Sequence, residues 1–452
     1  MSRYDLIVLG AGSAARDGAR KAAADYGARV ALVERTRWGG SCPNVACKPT
    51  KAYIVAADLV RDLRLLAPRL GLDAPPDRVQ LGGVRAWKDG LKKAQEKWVA
   101  ELQANGFDTY EGEATFVDAT TVRVGGEELS ADRVLVATGS RTAVPPIPGL
   151  DTIDWLDHVT ALDLDELPDS LLVLGAGPVG LEFAQIFARF GSRVTLVQTA
   201  DRISPRSDAD ATSALTDALE ADGVDVRTSS GVAKLEGRTA RLLDGTIVDA
   251  ERVLLASGRS PNTEELNLDA LGVRIERGAI GVDEHMRTSV EGIWAAGDVT
   301  GEHQFTPIAQ YQARIAIDDM FGESAASADY EILPTSIFTD PELGAVGLTE
   351  HDARERGLDF DTAIHPVAHV TRSQYVAETH GLYKLVFETG SRRILGVHVV
   401  SRNASDVVYG LSLALRAGIT VDDLAAAHHV YPSWSEGVKA AAEKANAERV
   451  RA

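Results

Sequence analysis

Cysteine and positive charge are scarce in this chain of 452 residues. Two cysteines are present, which excludes the scaffold of several disulfides that stabilises many small secreted proteins. Acidic residues outnumber basic ones by 66 to 47, giving a net charge of −19. This charge argues against nucleic acid or an anionic membrane as the main partner. Small molecules are the expected ligands.

Long apolar runs are also missing, since no uninterrupted stretch is long enough to cross a bilayer. The sequence opens on a predicted strand, residues 5–9, without a basic and apolar leader. We therefore expect a cytoplasmic protein. The length predicts two to four domains, and the balance of apolar and charged residues is typical of a soluble enzyme.

Both cysteines, Cys42 and Cys47, lie in one segment rich in glycine and proline, residues 39–51. Five residues of straight helix span roughly 7.5 Å, which exceeds the roughly 7 Å limit between Cα atoms joined by a disulfide. A bonded pair thus requires a distorted first turn, which Pro43 and Pro49 favour. Ordinary buried thiols are the alternative interpretation. Zinc would need more ligands than two cysteines offer, and we predict no metal site.

A glycine turn for a dinucleotide precedes the cysteines. The strand 5–9 leads into Gly10, Gly12 and Ala15 and then into an alanine-rich helix that reaches Gly27. In this pattern the glycines permit a tight turn and a close approach to a pyrophosphate, and the small third residue allows close packing. The next strand ends at Glu34, which can bind ribose hydroxyls; a solvated strand end is the alternative.

The same pattern recurs at Gly175, Gly177 and Gly180, after a strand over 170–174. Two such turns imply two dinucleotides and electron transfer between them. The sequence therefore predicts an α/β fold with two Rossmann-like domains. The strand that follows ends at Gln198, where an acid would select NAD. Without that acid we favour NADPH over NADH, with Arg202 or Arg206 supplying positive charge, or else lying solvated.

These motifs resemble those of the flavoprotein disulfide reductases, a family that includes glutathione, mycothione and mercuric reductases and dihydrolipoamide dehydrogenase. The resemblance covers nearly the whole chain and implies FAD at the first turn and a nicotinamide cofactor at the second. It implies a redox disulfide in which Cys47 faces the flavin and Cys42 exchanges with the acceptor. Lys51 matches the lysine beside the flavin, and Glu182 matches its glutamate partner.

The resemblance also assigns residues where the chain passes between domains. Thr138 and Gly139 match the crossover out of the FAD domain, and Gly258 matches the exit from the nicotinamide domain. Asp298 matches the residue that bonds a ribityl hydroxyl, with a helix cap before residue 306 as the alternative. Pro178 replaces a tyrosine found in many relatives, or simply begins a helix.

The implied architecture has four segments, the last of which is an α+β dimerisation domain. An FAD-binding part spans 1–148 and resumes over 269–331, an NAD(P)-binding domain spans 149–268, and the dimerisation domain spans 332–452. A packing helix over 84–105 is predicted from its apolar period, after a loop over 67–83. The resemblance implies a homodimer whose active site is shared between subunits.

One position departs from the family pattern. Tyr431 stands where relatives carry a catalytic histidine, although its partner Glu436 is present. Phenol is a poor base for a thiol compared with imidazole. His429 is either a replacement base or a core histidine, and we favour the core. Mercuric reductases also have a tyrosine here, together with a C-terminal cysteine pair that this chain lacks.

The sequence thus predicts an FAD-dependent NAD(P)H oxidoreductase that reduces a disulfide, a metal ion or a quinone through Cys42 and Cys47. A flavin-binding scaffold with a vestigial disulfide is the rival class. It is disfavoured because the cysteines, Lys51, Glu182 and Asp298 are all present together.

Overall fold

The computed structural model describes residues 2–73, 75–323 and 326–451, with side chains up to residue 448. The chain forms two compact units. The first comprises the chain up to Thr50, Trp87–Ala143 and Gly258–Asp329. The second comprises Lys51–Ala86, Val144–Ser257 and the chain from Tyr330 onward.

The first unit is built on a parallel sheet of five strands. In sheet order these are Ile293–Ala295, Val134–Val136, Leu6–Leu9, Val30–Glu34 and Asp108–Glu111. Alternate residues of the central strands face opposite layers, as the period of two in a strand requires. Leu6 and Val8 pack with the helices Ser13–Tyr26 and Thr306–Phe321.

The opposite face of this sheet packs on a second, smaller sheet. Ile7 and Leu9 belong to a core that includes Phe116, Val122 and Leu129. The covering sheet has the strands Ser2–Tyr4, Glu127–Ala131, Thr121–Val124 and Ala114–Asp118. Because both faces are covered, the central strands read as continuous apolar runs.

The first unit also contains the helices Ser41–Asn44, Gln95–Ala104 and Leu268–Leu271. Two pairs of short strands complete it, Ser140–Thr142 with Arg259–Pro261 and Ile275–Glu276 with Ala279–Ile280.

The second unit contains a parallel sheet of four strands, in the order Val224–Arg227, Arg193–Val197, Ser170–Leu174 and Arg252–Leu255. The helices Pro178–Phe190 and Ala209–Ala221 contribute to the core on one face. The other face packs against a three-stranded antiparallel sheet, formed by Val232–Glu236, Thr239–Leu242 and Ile247–Asp249. Both predicted Rossmann-like sheets are therefore confirmed, one in each unit.

An antiparallel sheet of five strands completes the second unit. Its order is Thr335–Ile337, Glu342–Gly347, Ile394–Ser401, Leu382–Glu388 and Phe360–Pro366. The helices Ala404–Arg416 and Glu436–Arg451 pack on it, and the short helices are His158–Ala161, Glu350–Glu355, Thr371–Tyr375 and Val421–Ala426. The predicted α+β character of the C-terminal segment is confirmed.

The predicted single helix over 84–105 is wrong. Two helices occupy this stretch, Leu81–Gly90 and Gln95–Ala104, and of the predicted apolar set Trp98 and Leu102 are buried whereas Trp87 is exposed. The predicted loop over 67–83 is shorter than expected, because the helix Cys47–Leu70 continues through Pro68. Short 3₁₀ turns occur at Leu150–Thr152, Glu264–Leu266, Asp298–Thr300 and Val367–His369. Across the described ranges, no helix is both long and apolar enough to cross a membrane.

Candidate active site

The first glycine turn leaves open space at the start of a helix. Gly10 has a φ of +111°, and a Cβ there would lie 2.3 Å from the Ala137 carbonyl oxygen, so only glycine fits. A Cβ on Gly12 would instead meet only the Gly40 Cα, at 4.0 Å. The N–H groups of the first turn of the helix Ser13–Tyr26 border this space. The arrangement fits a pyrophosphate held at a helix N-terminus.

Glu34 is tied to this turn. Its Oε2 accepts a hydrogen bond from the Ala11 N–H at 2.9 Å. Its Oε1 accepts from the N–H groups of Thr36, at 2.8 Å, and Arg37, at 3.1 Å. The carboxylate is thus held by three backbone amides and is not merely a solvated strand end. Each oxygen keeps further acceptor capacity for a ribose hydroxyl.

The cysteine segment touches the glycine turn through its backbone. Gly40 has a φ of +74°, and a Cβ there would lie 2.4 Å from the Gly12 Cα. The buried Asn44 amide donates to the carbonyl oxygens of Trp38, at 3.0 Å, and Gly40, at 2.7 Å. These contacts fix the segment against the place where a dinucleotide would bind.

The two cysteines lie on different helices. Cys42 is half-buried in the short helix Ser41–Asn44, and Cys47 is the exposed first residue of Cys47–Leu70. Val45, with a φ of −140°, breaks the helix between them. The distortion that a bonded pair would require is therefore present. The position of Cys47 at the start of a long helix favours its thiolate.

Asp298 lies near the crossover segment. Its Oδ2 accepts from the Ser140 Oγ at 2.6 Å, and Arg259 Nε donates to that same hydroxyl oxygen at 2.7 Å. Asp298 begins a short 3₁₀ turn, while the later helix starts at Thr306 with Phe305 as its N-cap. The alternative role of Asp298 as the cap of that helix is therefore wrong.

The residues at the crossover are held in place by one another. Thr138 Oγ1 donates to the Asn262 carbonyl oxygen at 2.8 Å, and the Asn262 amide donates back to the Thr138 carbonyl at 2.9 Å. The Gly139 carbonyl accepts from the Asn262 N–H at 2.9 Å, and the Gly258 carbonyl accepts from the Ala143 N–H at 3.0 Å. These hydrogen bonds join residues 138–143 to residues 258–262 within the first unit.

The second glycine turn repeats the geometry of the first in the second unit. A Cβ on Gly180 would lie 1.8 Å from the Gly175 carbonyl oxygen, which explains the glycine at the third position of the motif. A Cβ on Gly177 would meet nothing within 4 Å, so the space before the helix is open. Pro178 is the first residue of that helix, where its missing N–H costs little.

The side chains after the next strand are engaged locally. Gln198 Oε1 accepts from the Thr199 N–H at 3.0 Å. The Arg202 guanidinium donates to the Pro205 carbonyl at 2.6 Å, and Arg206 is exposed. The first two positions after the strand are Gln198 and Thr199, so neither carries an acid.

Lys51 and Glu182 meet as the resemblance implies. Lys51 Nζ lies 2.9 Å from both carboxylate oxygens of Glu182. The Phe338 N–H donates to Glu182 Oε1 at 3.0 Å, and the Phe338 ring centroid lies 4.2 Å from Lys51 Nζ. Glu182 is therefore held on two sides, and Lys51 is stacked on an aromatic face.

Tyr431 and Glu436 are linked through a residue between them. The Tyr431 hydroxyl donates to Thr371 Oγ1 at 3.3 Å, and Thr371 Oγ1 donates to Glu436 Oε1 at 3.0 Å. The Thr371 N–H donates to the same carboxylate oxygen at 3.2 Å. His429 is exposed, so its interpretation as a core histidine is wrong.

Known protein families match both parts of the chain. Residues 4–313 match the family described as pyridine nucleotide-disulphide oxidoreductase, and residues 333–442 match the dimerisation domain of that family. The chain belongs to the pyridine nucleotide-disulphide oxidoreductases. A mercuric reductase of Staphylococcus aureus is 37% identical over 449 residues, covering 97% of this chain and 82% of the relative.

Other relatives carry different names. The protein named dihydrolipoyl dehydrogenase 2 of Haloarcula marismortui is 35% identical, with 99% of this chain and 97% of the relative covered. Among solved structures, the Cu(II) complex of the HOCl-induced flavoprotein disulfide reductase RclA from Escherichia coli has a TM-score of 0.87 at 31% identity. That match covers 98% of this chain and 99% of RclA.

As a member of this family, the chain is an FAD-containing, NAD(P)H-dependent oxidoreductase. The first glycine turn, Glu34 and Asp298 fit FAD, because they combine an open helix start with fixed carboxylates. The second turn fits a nicotinamide dinucleotide for the same reason. When bound, FAD supplies two-electron chemistry between the nicotinamide and a disulfide. The match to the dimerisation domain supports a homodimer.

Three residues of the candidate site were missed from the sequence: Phe338, which binds Glu182, Ser140, which binds Asp298, and Thr371, which binds Glu436. Each lies far along the chain from its partner, and no local pattern marks it. Of the three, Ser140 alone had a weak local signal, because it lies in the small-residue turn that follows a strand.

Proposed function

We propose that this oxidoreductase passes electrons through Cys42 and Cys47 to an acceptor that needs no thiol base, a soft metal cation or a quinone. The observation that carries the proposal is Tyr431, whose hydroxyl is bonded to Thr371 and through it to Glu436. Reduction of an external disulfide needs a base that takes protons from thiols. A phenol has a reference pKa near 10, whereas an imidazole has a reference pKa near 6.5. A metal ion or a quinone takes electrons without that step.

Within this proposal Cys47 receives electrons from the flavin side, and Cys42 passes them to the acceptor. Lys51 and Glu182 form an ion pair in which Lys51 would lie beside the flavin and Glu182 would contact the nicotinamide. Tyr431 and Glu436 act from the partner subunit, since they lie in the part of the chain that matches the dimerisation domain. A monomer would then have an incomplete acceptor site.

The names of relatives favour a metal cation. The relative from Staphylococcus aureus is named a mercuric reductase, and the RclA structure is a Cu(II) complex. Thiolates are soft ligands that suit such ions, because soft donors select soft or borderline metals. Two neighbouring cysteines that become a dithiol on reduction supply such donors.

A disulfide acceptor is the second candidate, and the exposure of His429 favours it. An exposed imidazole two residues before Tyr431 has access to solvent and could serve as the base that Tyr431 does not provide. In that case His429→Ala would lose disulfide reduction while reduction of a metal or a quinone remained.

A panel of acceptors tests the proposal. Steady-state rates with glutathione disulfide, lipoamide, 1,4-benzoquinone, Cu(II) and Hg(II) should show poor turnover of both disulfides and good turnover of at least one of the others. Tyr431→His should raise disulfide turnover, by up to the 10²–10⁴-fold that general acid–base catalysis typically supplies. Efficient disulfide reduction by the wild type, unchanged in His429→Ala, would overturn both candidates.

The role of the cysteines has its own measurement. Anaerobic NADPH should produce two additional titratable thiols per chain, because one hydride and one proton convert a disulfide into two thiols. Cys42→Ser and Cys47→Ser should each abolish this gain. A wild type that reduces acceptors without gaining thiols would show that the cysteines are bypassed.

A further inference from the structure

Thr371 lies between the two residues that the proposed acceptor site takes from the C-terminal region. It begins the short helix Thr371–Tyr375, directly after Val370, which is fully buried in the core. Two of its groups, the N–H and the hydroxyl, donate to Glu436 Oε1, at 3.2 and 3.0 Å. The threonine is therefore fixed both by its buried neighbour and by the carboxylate.

The hydrogens in this chain of bonds have only one consistent arrangement. An ionised carboxylate has no hydrogen to donate, so the single hydroxyl hydrogen of Thr371 goes to Glu436. The contact of 3.3 Å between Tyr431 and Thr371 then requires Tyr431 to be the donor. The Tyr431 oxygen then offers lone pairs alone, and the Tyr431 residue as a whole is 65% exposed.

We propose that Thr371 is a positioning residue that makes Tyr431 an acceptor-only group and so selects a metal cation over a quinone. A cation is attracted to oxygen lone pairs. A quinone carbonyl also presents lone pairs, and it would need a hydrogen that Tyr431 has already given to Thr371. The inference rests on the proposed function, because it requires Tyr431 to face the acceptor.

Glu436 adds to this preference. Within the described part of the chain, its Oε2 is buried without a hydrogen-bond partner, so part of its negative charge is not compensated by a donor. A negative charge behind the Thr371–Tyr431 pair makes the site more favourable for a cation and less favourable for the negative charge that develops on a reduced quinone.

Both reductions balance, and they differ in protons. One NADPH and two Cu(II) give NADP⁺, two Cu(I) and one proton. One NADPH, one quinone and one proton give NADP⁺ and the hydroquinone. Metal reduction thus releases a proton, whereas quinone reduction consumes one, and a weakly buffered assay with a pH indicator distinguishes the two acceptors during turnover.

Thr371→Val tests the inference, because valine keeps the branched shape and removes the hydroxyl. Tyr431 can then donate to an acceptor. We expect kcat/KM for Cu(II) to fall by roughly tenfold, the factor for one hydrogen bond of ordinary strength, while kcat/KM for 1,4-benzoquinone stays level or rises. Thr371→Ser keeps the hydroxyl and should restore the wild-type ratio between the two acceptors.

A binding measurement accompanies the kinetics. Cd(II), which is redox-inert here, should bind the NADPH-reduced enzyme more weakly in Thr371→Val than in wild type or Thr371→Ser, as measured by calorimetry. Equal losses with Cu(II) and benzoquinone, or an unchanged ratio, would overturn the role of Thr371. If Tyr431→Phe also leaves both acceptors unaffected, Tyr431 does not contact the acceptor and the inference fails, whereas the proposed function fails only if the wild type reduces disulfides efficiently in the acceptor panel.

Discussion

Lys51 Nζ lies 2.9 Å from each carboxylate oxygen of Glu182, and the two side chains differ sharply in exposure. The Glu182 side chain is 8% exposed and that of Lys51 is 35% exposed. A buried charge that loses its partner lowers the free energy of unfolding, whereas an exposed charge that loses its partner is stabilised by hydration. The pair is therefore energetically asymmetric.

This asymmetry predicts unequal effects of two neutralising substitutions. Lys51→Met leaves Glu182 buried without its ion-pair partner, and we expect a loss of about 3 kcal/mol in the free energy of unfolding. Glu182→Gln should cost less, because the glutamine oxygen can still accept from the Phe338 N–H and Lys51 remains hydrated. Urea denaturation of the two variants measures the difference. A larger loss for Glu182→Gln would contradict the asymmetry.

Two glycines of the first turn should respond differently to a side chain. Wild-type protein should be yellow and contain one FAD per chain. Gly12→Val should fold, because the space around its Cβ is open, yet lose most of its FAD, because the side chain would occupy the space predicted for the pyrophosphate. Gly10→Val should fail to fold, since its Cβ would lie 2.3 Å from the Ala137 carbonyl oxygen. FAD absorbance and circular dichroism separate these results.

The strand end at Gln198 predicts weak discrimination between the two nicotinamides. We expect NADPH to be preferred by less than about a hundredfold, or roughly 2.7 kcal/mol at 1.36 kcal/mol per decade. Gln198→Glu should shift the preference to NADH, because a carboxylate binds the 2′-hydroxyl and repels the 2′-phosphate. A comparison of kcat/KM for NADPH between Arg202→Gln and Arg206→Gln shows which arginine supplies the positive charge. A strong wild-type preference for NADH would show that neither does.

Asp58 should make stability depend on pH. Burial, with the Asp340 carboxylate next in importance, raises the pKa of Asp58 to about 7, although its carboxylate also accepts from Arg189 at 2.7 Å. The folded protein then holds a proton that the unfolded chain has lost between about pH 4 and 7, so stability falls as pH rises through that range. Asp58→Asn removes this effect.

The Asp58→Asn variant should therefore gain stability over wild type as pH rises, with little difference below about pH 4. The Asp58 side chain is 35% exposed, so solvent screening limits the gain at pH 8 to on the order of 1 kcal/mol. Thermal unfolding at pH 4, 6 and 8 provides the comparison. A stability difference that does not change with pH would show that Asp58 titrates normally.

Local patterns in the sequence determined the dinucleotide-binding parts of this protein. The strand Ser170–Leu174, the end of the next strand just before Gln198 and the end of the first helix at Gly27 lie where the sequence predicted them. Glycine turns, strand periods and caps depend on neighbours a few residues away, so one sequence is enough to find them. The sequence required a distortion between Cys42 and Cys47 only for a bonded pair, and the observed break lies at Val45 rather than at the residue before either proline.

Tertiary structure alone decided the contacts between distant residues. The apolar spacing over 84–105 fits one helix, and it could not reveal that two helices are present. Thr371 lies 60 residues from Tyr431 and 65 from Glu436, and no spacing rule connects them. Folding of the antiparallel sheet and of the chain around it places a threonine hydroxyl between a phenol and a carboxylate. Such a hydrogen-bond chain depends on distances between side chains, which only the folded structure supplies.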